Sequence, residues 1–487
     1  MPLKKTYSLL SLLMITLSAM ASPANLRADN TEIDDSLGEL ESLYKGVLPW
    51  VARLYDPKSG GFYESIGLRE GKEPRDFGPD IQATHFAFSL IRSSDLLASM
   101  PPEVKGKLIL YFQSRQNPET GYFSDPDYPD MLDNQRIMAR ALSFSVASLR
   151  SLGAAPLYPL PGKPRASANA PTRIELAASK TGQIVKTNQG PEETAPTASS
   201  SNRIPPASTN KDNAESNPDL EDKESASDNV YIVPNSKTLS IEIQANTPPH
   251  LASTEAFHQW LDERPWHFAW TAMDNIQSQQ TLINSLPEPY RTTIIDKAIA
   301  YISERQEANT GLIGGGTPEV RLSGAFKLVL FFRAMKRPIP HTEEIQKTVI
   351  EWLESEPETE KIYFVRNTID MLDILVEETG QNLTNEQMVA VINFATRELK
   401  RYLQSDGGFS RFTYGFYISP NDLYLSDADR IPAQAGPQGQ LNGTTMAIRT
   451  RAALYTLAGR KTPSLRMYDF WDVALADGEH EPSQVEK

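Results

Sequence analysis

The residues of this 487-residue chain best suited to chemistry are two of its six histidines, a few arginines in apolar stretches, and some tryptophans and tyrosines. His85, in "THFAF", and His267, in "RPWHFAW", carry imidazoles that titrate near neutrality and suit proton transfer. Trp266 and Trp270 flank His267 and offer faces on which a sugar ring can stack. Arg136, Arg321 and Arg366 lie in apolar segments, where a guanidinium needs a partner. That partner is either a neighbouring carboxylate (Asp133, Glu319 or Asp370) or a bound carboxylate or sulfate gripped by the rigid donor fork. Between Phe409 and Asn442 runs a long stretch rich in Tyr, Asp, Pro and Gly, with Tyr414, Tyr417 and Asp422 in it; loops of this length inside compact repeats are often functional. The expected catalytic residues are therefore His85, His267 and Tyr417. The expected substrate-binding residues are Arg136, Trp266, Trp270, Arg321, Arg366, Asn367, Asp370 and Tyr414. Structural roles stay open beside these. Asp80, Asp133 and Asn442 stand where helix N-caps belong, His85 fits a hydrogen-bonded core position, and the two tryptophans fit packing.

Other chemistries are excluded. With no cysteine there is no disulfide, thiol nucleophile, thiolate zinc site or iron–sulfur cluster. No His-x-x-x-His pair and no Gly-x-Ser-x-Gly elbow occurs, and "GLIGGGTPEVR" lacks the Gly-Lys-Ser/Thr ending of a phosphate loop. No metal or cofactor is expected. A net charge of −14 repels phosphate backbones at long range, so nucleic acid is not an expected partner.

The elements that must position these residues form a repeat. Trp50 precedes Gly60 by ten residues, Tyr111 precedes Gly121 by ten, and Tyr301 precedes Gly311 by ten. A shorter form runs from Tyr402 to Gly407 in "YLQSDGGFSRF" and from Trp260 to Pro265, and Trp352 opens the same phrase with Lys361-Ile362 in place of glycine. Turns therefore fall near residues 60, 121, 265, 311, 362 and 407. Each follows an amphipathic helical pattern and precedes a more apolar one, such as "PDIQATHFAFSLIRSSDLL" or "EVRLSGAFKLVLFFRAM". An apolar pattern on nearly all sides means burial on more than one face. Each unit thus reads as an outer amphipathic helix, a turn and an inner buried helix, and no such unit buries its apolar face alone. The long interval between the second and third turns holds residues 162–253, rich in Pro, Ser, Asn and charge, which cannot bury enough apolar area to offset ordering entropy.

The Gly-Gly-Phe turns in "SGGFYES" and "DGGFSRF" resemble those of the prenyltransferase and squalene-cyclase-like superfamily. The resemblance implies an all-α fold, an (α/α)6 toroid of six outer/inner helix pairs, here with a long disordered insertion after the second pair. Its catalytic motifs do not carry over: there is no cysteine for a zinc site or thioester, and the nearest acidic string, "EIDD" at Glu32–Asp35, precedes the first repeat. In such a ring, turns and inner-helix N-termini line one mouth of a central funnel, and the positive ends of the helices favour anionic groups.

The start, "MPLKKTYSLLSLLMITLSAMASPA", has a basic Lys4-Lys5, a short apolar run from Leu9 to Leu17 and a small-x-small site at Ala19-Met20-Ala21. The expected organisation is a signal peptide over 1–21, a flexible tail over 22–36, repeats 1–2 over 37–161, the disordered insertion over 162–253, repeats 3–6 over 254–462 and a tail over 463–487. Export to the periplasm or the extracellular space, with cleavage near Ala21, follows, and no later segment is apolar enough to span a membrane. The leading expectation is a ligand, a glycan or other extracytoplasmic polymer, held in the central funnel, with lyase- or hydrolase-type processing. The alternatives are a non-catalytic scaffold whose insertion reaches a protein partner and, third, terpenoid or polyisoprenoid processing.

Overall fold

The computed structural model describes residues 23–72, 77–126, 128, 131–132, 134–161, 248–413 and 438–476. These all lie in a single compact unit formed by residues 1–163 and 237–487. The described fold is all-helical. In chain order the helices are α1 (Pro23–Ser42), α2 (Val47–Ala52), α3 (Ile66–Arg69), α4 (Ile81–Ser93), α5 (Pro102–Gln113), α6 (Gln135–Ser151), α7 (Thr254–Asp262) and α8 (Ala269–Ser278). They continue with α9 (Gln280–Ser285), α10 (Tyr290–Ser303), α11 (Pro318–Ala334), α12 (Thr342–Glu354), α13 (Ile362–Thr379), α14 (Asn385–Tyr402), α15 (Leu441–Leu457) and α16 (Phe470–Ala476). Among the described residues β-pairing is limited to isolated antiparallel bridges at the turns.

Three of the turns share one hydrogen-bond pattern. In the first, second and fourth, the glycine at 60, 121 or 311 adopts a positive φ, 81°, 75° and 65°, which disfavours any residue with a Cβ. Its N–H donates to the carbonyl four residues back: Asp56, Asn117 and Glu307. The N–H of each of those residues donates in turn to the carbonyl of Gly61, Tyr122 or Leu312. The bridges Tyr55–Phe62, Gln116–Phe123 and Gln306–Ile313 close the loops. Ser59, Thr120 and Thr310 accept from the N–H two residues on, at 3.2, 3.4 and 3.2 Å. Side chains of Asp56 and Asn117 accept further N–H groups, as short polar residues do in turns. In the sixth turn Gly407 has φ +99° and lies against Gly46, where a Cβ would come 2.7 Å from a backbone oxygen.

The apolar helices after the turns are those with buried residues on most sides. From Leu322 to Val329 in α11, Lys327 alone escapes full burial. These helices pack in succession: α4 on α6, α6 on α8, α8 on α11, α11 on α13, α13 on α15, and α15 on α4. Gly324 permits a close approach of α11 to α8, since a Cβ there would meet the Ala269 backbone at 2.9 Å. The helices before the turns lie against them: α5 on α6, α12 and α14 on α13, and α14 on α15.

Both expected tails contain docked structure. Residues 22–36 are helical from Pro23, and Ile33, Leu37 and Leu40 of α1 are buried, with α1 packed on α14. Burial of this apolar stripe supplies the ordering energy a flexible tail lacks. Within 463–487, Phe470 and Trp471 of α16 are buried, and α16 packs on α2. The end of the expected insertion is ordered as well: Leu251 is buried in a short 3-10 turn and Ser253 caps α7. Residues 1–21 and 162–247 lie outside the described residues.

Candidate functional site

Each apolar helix leaves one stripe accessible, and the stripes carry charge. In α13 the residues Arg366, Asp370, Asp373 and Glu377 recur at helical spacing, while Tyr363, Asn367, Thr368, Met371, Leu372 and Leu375 around them are buried. The matching positions are His85, Ser89 and Arg92 on α4, Arg136 and Arg140 on α6, Trp270 and Asp274 on α8, Lys327 on α11 and Arg449 on α15. Neighbouring helices cover the other faces, and polar groups of adjacent helices meet at the stripes.

Asp274 anchors one half of this cluster. Lys327 Nζ lies 2.6 Å from its Oδ1, and Arg136 Nη1 lies 3.3 Å from its Oδ2. Burial alone would raise the Asp274 carboxyl; Lys327, Arg136 and Arg140 outweigh it and hold the group below the usual carboxylate range. Burial also pulls the Lys327 ammonium down, and Asp274 offsets only part of that. Arg140 Nη2 donates to Gln82 Oε1 on α4 at 2.7 Å. The other half is built on α13. Arg366 Nε lies 2.6 Å from Asp370 Oδ2, Arg366 Nη1 donates to Asn367 Oδ1 at 3.1 Å, and its guanidinium covers Phe326 at 4.7 Å. Asn367 is buried and donates to Ser323 Oγ of α11 at 3.2 Å.

Arg449 completes the cluster. Its side chain is exposed to water. Burial and Arg366 disfavour its charge and Asp370 favours it, yet it makes no hydrogen bond or ion pair among the described residues. Five cations (Arg136, Arg140, Lys327, Arg366 and Arg449) thus gather around two carboxyls, Asp274 and Asp370, an excess of positive charge inside an acidic chain; Asp373 and Glu377 lie further along α13, beside Arg333. His85 stacks on Phe144 at 4.4 Å, and its Nδ1 lies 2.9 Å from Ser148 Oγ. Burial, then Arg449 and Arg92, push its imidazole down to about 4, so it is neutral at pH 7.

Trp270 sits one turn before Asp274 on α8. Its ring stacks on Tyr363 of α13, centroids 5.3 Å apart and planes 13° apart. The Arg411 guanidinium is 5.7 Å from the Tyr363 ring. This aromatic pair stands at the N-terminal ends of two of the charged helices.

Of the residues singled out from sequence, His85, Arg136, Arg366, Asn367, Asp370 and Trp270 lie in or beside the cluster. Others serve elsewhere. Trp266 donates from Nε1 to Leu261 O at 2.9 Å and packs beside Tyr301 and the core. Arg321 clasps the fourth turn through Glu307 at 2.6 Å and Gly314 O at 3.1 Å, a structural pairing with a different carboxylate from the expected Glu319. His267 is exposed in the turn before α8, and its carbonyl would lie 2.7 Å from a Cβ on Gly315. Asp80 and Asn134 cap α4 and α6. Asp133, Tyr414, Tyr417 and Asp422 lie outside the described residues. Arg140, Asp274, Lys327, Asp373 and Arg449 escaped the sequence reading, which stopped at the first turns of these helices, whereas the charges lie one to two turns deeper. A lone charge in an apolar run, as in "GAFKLVLFF", is the signal that marks them. Among the described residues no group of three His, Asp or Glu side chains is arranged to hold a metal ion.

Comparison with protein-family models, curated proteins and solved structures found no match.

Proposed function

We propose that this chain is an exported (α/α)6 toroid of six outer/inner helix pairs, and that the inner helices α4, α6, α8, α11, α13 and α15 bind a carboxylate-bearing glycan among their accessible stripes. Three features support the architecture: the recurring glycine turns at 60, 121, 311 and 407, the succession of helix contacts that returns from α15 to α4, and the helices packed behind them. Export belongs to the same reading through Lys4-Lys5, the Leu9–Leu17 run and Ala19-Met20-Ala21.

The observation that carries the ligand class is Arg449. Its guanidinium stands near Arg366 and Asp370 and makes no hydrogen bond or ion pair among the described residues. A partly desolvated arginine is stabilised by a planar carboxylate that takes both arms of its fork. Trp270, stacked on Tyr363 one turn nearer the helix N-termini, presents an apolar face suited to a sugar ring. A ring resting there would bring its carboxylate to the cations roughly one helical turn, about 5.4 Å, deeper.

Calorimetric titration with oligouronates and with neutral oligosaccharides of the same length tests the reading. Binding is expected for the oligouronates alone. Arg449→Ala removes charge-assisted hydrogen bonds worth about 1.5–3 kcal/mol each, a loss of about 10- to 150-fold in affinity per bond. Equal binding of acidic and neutral sugars would overturn it.

A further inference from the structure

Among the described residues Arg449 makes no hydrogen bond or ion pair, and Asp373, of opposite polarity, makes none either. Asp373 follows Asp370 by three residues on the accessible stripe of α13, one turn beyond the Arg366–Asp370 pair. It is half-buried and makes no hydrogen bond or ion pair among the described residues. The other faces of α13 are taken up by α11, α12, α14 and α15, so the stripe that holds Asp373 also holds Arg366 and Asp370. Structural carboxyls in this fold look different. Asp274 is held by two cations, and the fully buried Glu398 accepts from Thr359 N at 2.8 Å, Thr359 Oγ1 at 3.0 Å and Arg401 Nη1 at 2.8 Å. A half-buried carboxyl with no partner carries a desolvation cost that its fold does not repay, and such groups suit proton transfer.

We propose that the site is hydrolytic and that Asp373 is its catalytic proton donor, with Arg366 and Arg449 holding the carboxylate of the sugar unit next to the scissile bond. The inference rests on the acidic-glycan reading of the same site. Asp373 gives its carboxyl proton to the glycosidic oxygen as the C–O bond breaks and the electron pair stays on that oxygen. Water adds through its oxygen to the anomeric carbon, and the proton it sheds returns to the Asp373 carboxylate. One glycoside and one water become two free hydroxyl ends. Burial, then Asp370 and Glu377 on its own helix, raise the Asp373 carboxyl to about 6, against a lowering pull from Arg333 of α11. Lys327 of α11 and Arg449 of α15 lie beside the Arg366–Asp370 end of the stripe. The acid form is therefore well populated up to about pH 6 and declines above it, so proton donation is favoured on the acid side of neutrality. His85, held neutral, is not needed as the donor.

The test uses full-length protein and polygalacturonate, polyguluronate and hyaluronan, each first assayed for binding and then for new reducing ends and for unsaturated ends. Hydrolysis of a polymer that binds is expected, with reducing ends and no unsaturated product, and with kcat falling as pH rises through about 6. Asp373→Asn should lower kcat by about 100-fold or more and leave the dissociation constant within about threefold. Asp373→Glu should restore part of kcat if proton donation is the role. Binding without cleavage, unsaturated ends, or full activity in Asp373→Asn would each overturn this inference and leave the binding reading standing. No binding to any of the three overturns both.

Discussion

Replacing Asp274 by Asn should destabilise the protein far more than replacing its partner Lys327 by Met. Asp274 holds two cations, Lys327 at 2.6 Å and Arg136 at 3.3 Å, and the three side chains are each less than a quarter exposed. Two unit charges about 4 Å apart attract by about 4 kcal/mol at an effective dielectric near 20, before desolvation is charged against them. Removing the one anion leaves two cations facing each other in a poorly solvated place, a loss of about 3–5 kcal/mol. Lys327→Met instead removes an ammonium that burial already disfavours and leaves Asp274 paired with Arg136, so the expected cost is below about 2 kcal/mol. At about 2 °C per kcal/mol for a chain of this size, Asp274→Asn should lower Tm by about 6–10 °C. Lys327 can escape the imbalance by losing its proton, so the deficit of Asp274→Asn should shrink as pH rises. The wild-type contribution has a sign too. The folded Asp274 carboxyl is depressed, so its stabilisation is complete above the unfolded value of about 3.9 and is lost as pH falls below that. Urea melts of both variants and of the Asp274→Leu/Lys327→Met double variant measure all this, and the double variant should be more stable than Asp274→Asn. Equal costs for the two single variants would refute the argument that Asp274 is shared.

The turns and the histidine give further tests. Gly60→Ala should cost about 2–4 kcal/mol by urea denaturation, since φ is +81° and a Cβ would lie 2.8 Å from the Lys107 backbone. Gly153→Ala, also at positive φ but facing open space, should cost only about 1 kcal/mol. The His85 imidazole should titrate near 4 by NMR, and in Arg449→Met its midpoint should move up towards 6.5, because a neighbouring positive charge is gone. Because the folded value is lowered, the unfolded chain binds the proton first. His85 and the similarly shifted His250 thus contribute stability that is present above about 6.5 and fades as pH falls towards 4. A His85→Gln/His250→Gln variant should flatten that part of the urea-midpoint profile.

Helices and turns were legible in the sequence because the turn imposes a backbone demand that few residues meet. Gly60, Gly121, Gly311 and Gly407 hold positive φ, and the polar residues ahead of them accept the turn's N–H groups, so the phrase recurs in letters as well as in atoms. The docked ends were not legible, because α1 and α16 carry no such phrase and their burial depends on α14 and α2, far away in sequence. For the site, an arginine in an apolar helix announced Arg136 and Arg366. Their partners were less readable: Arg136 pairs with Asp274, 138 residues away, in place of nearby Asp133. Arg321 shows the reverse case, a charge in an apolar helix spent on its own turn. Trp266 and Trp270 are four residues apart, yet only Trp270 falls on the stripe of α8 that carries Asp274, while Trp266 precedes the helix and binds back to α7.

The central claim is that the inner-helix cations receive a carboxylate from a ligand. Calorimetric titration of oligouronates against their methyl esters tests it most directly, because the ester keeps the sugar and removes the charge. The account predicts binding of the acid, loss of binding on esterification, and an affinity about 10-fold or more lower in Arg449→Ala. Equal affinity for acid and ester, or an unchanged affinity in Arg449→Ala, would contradict it.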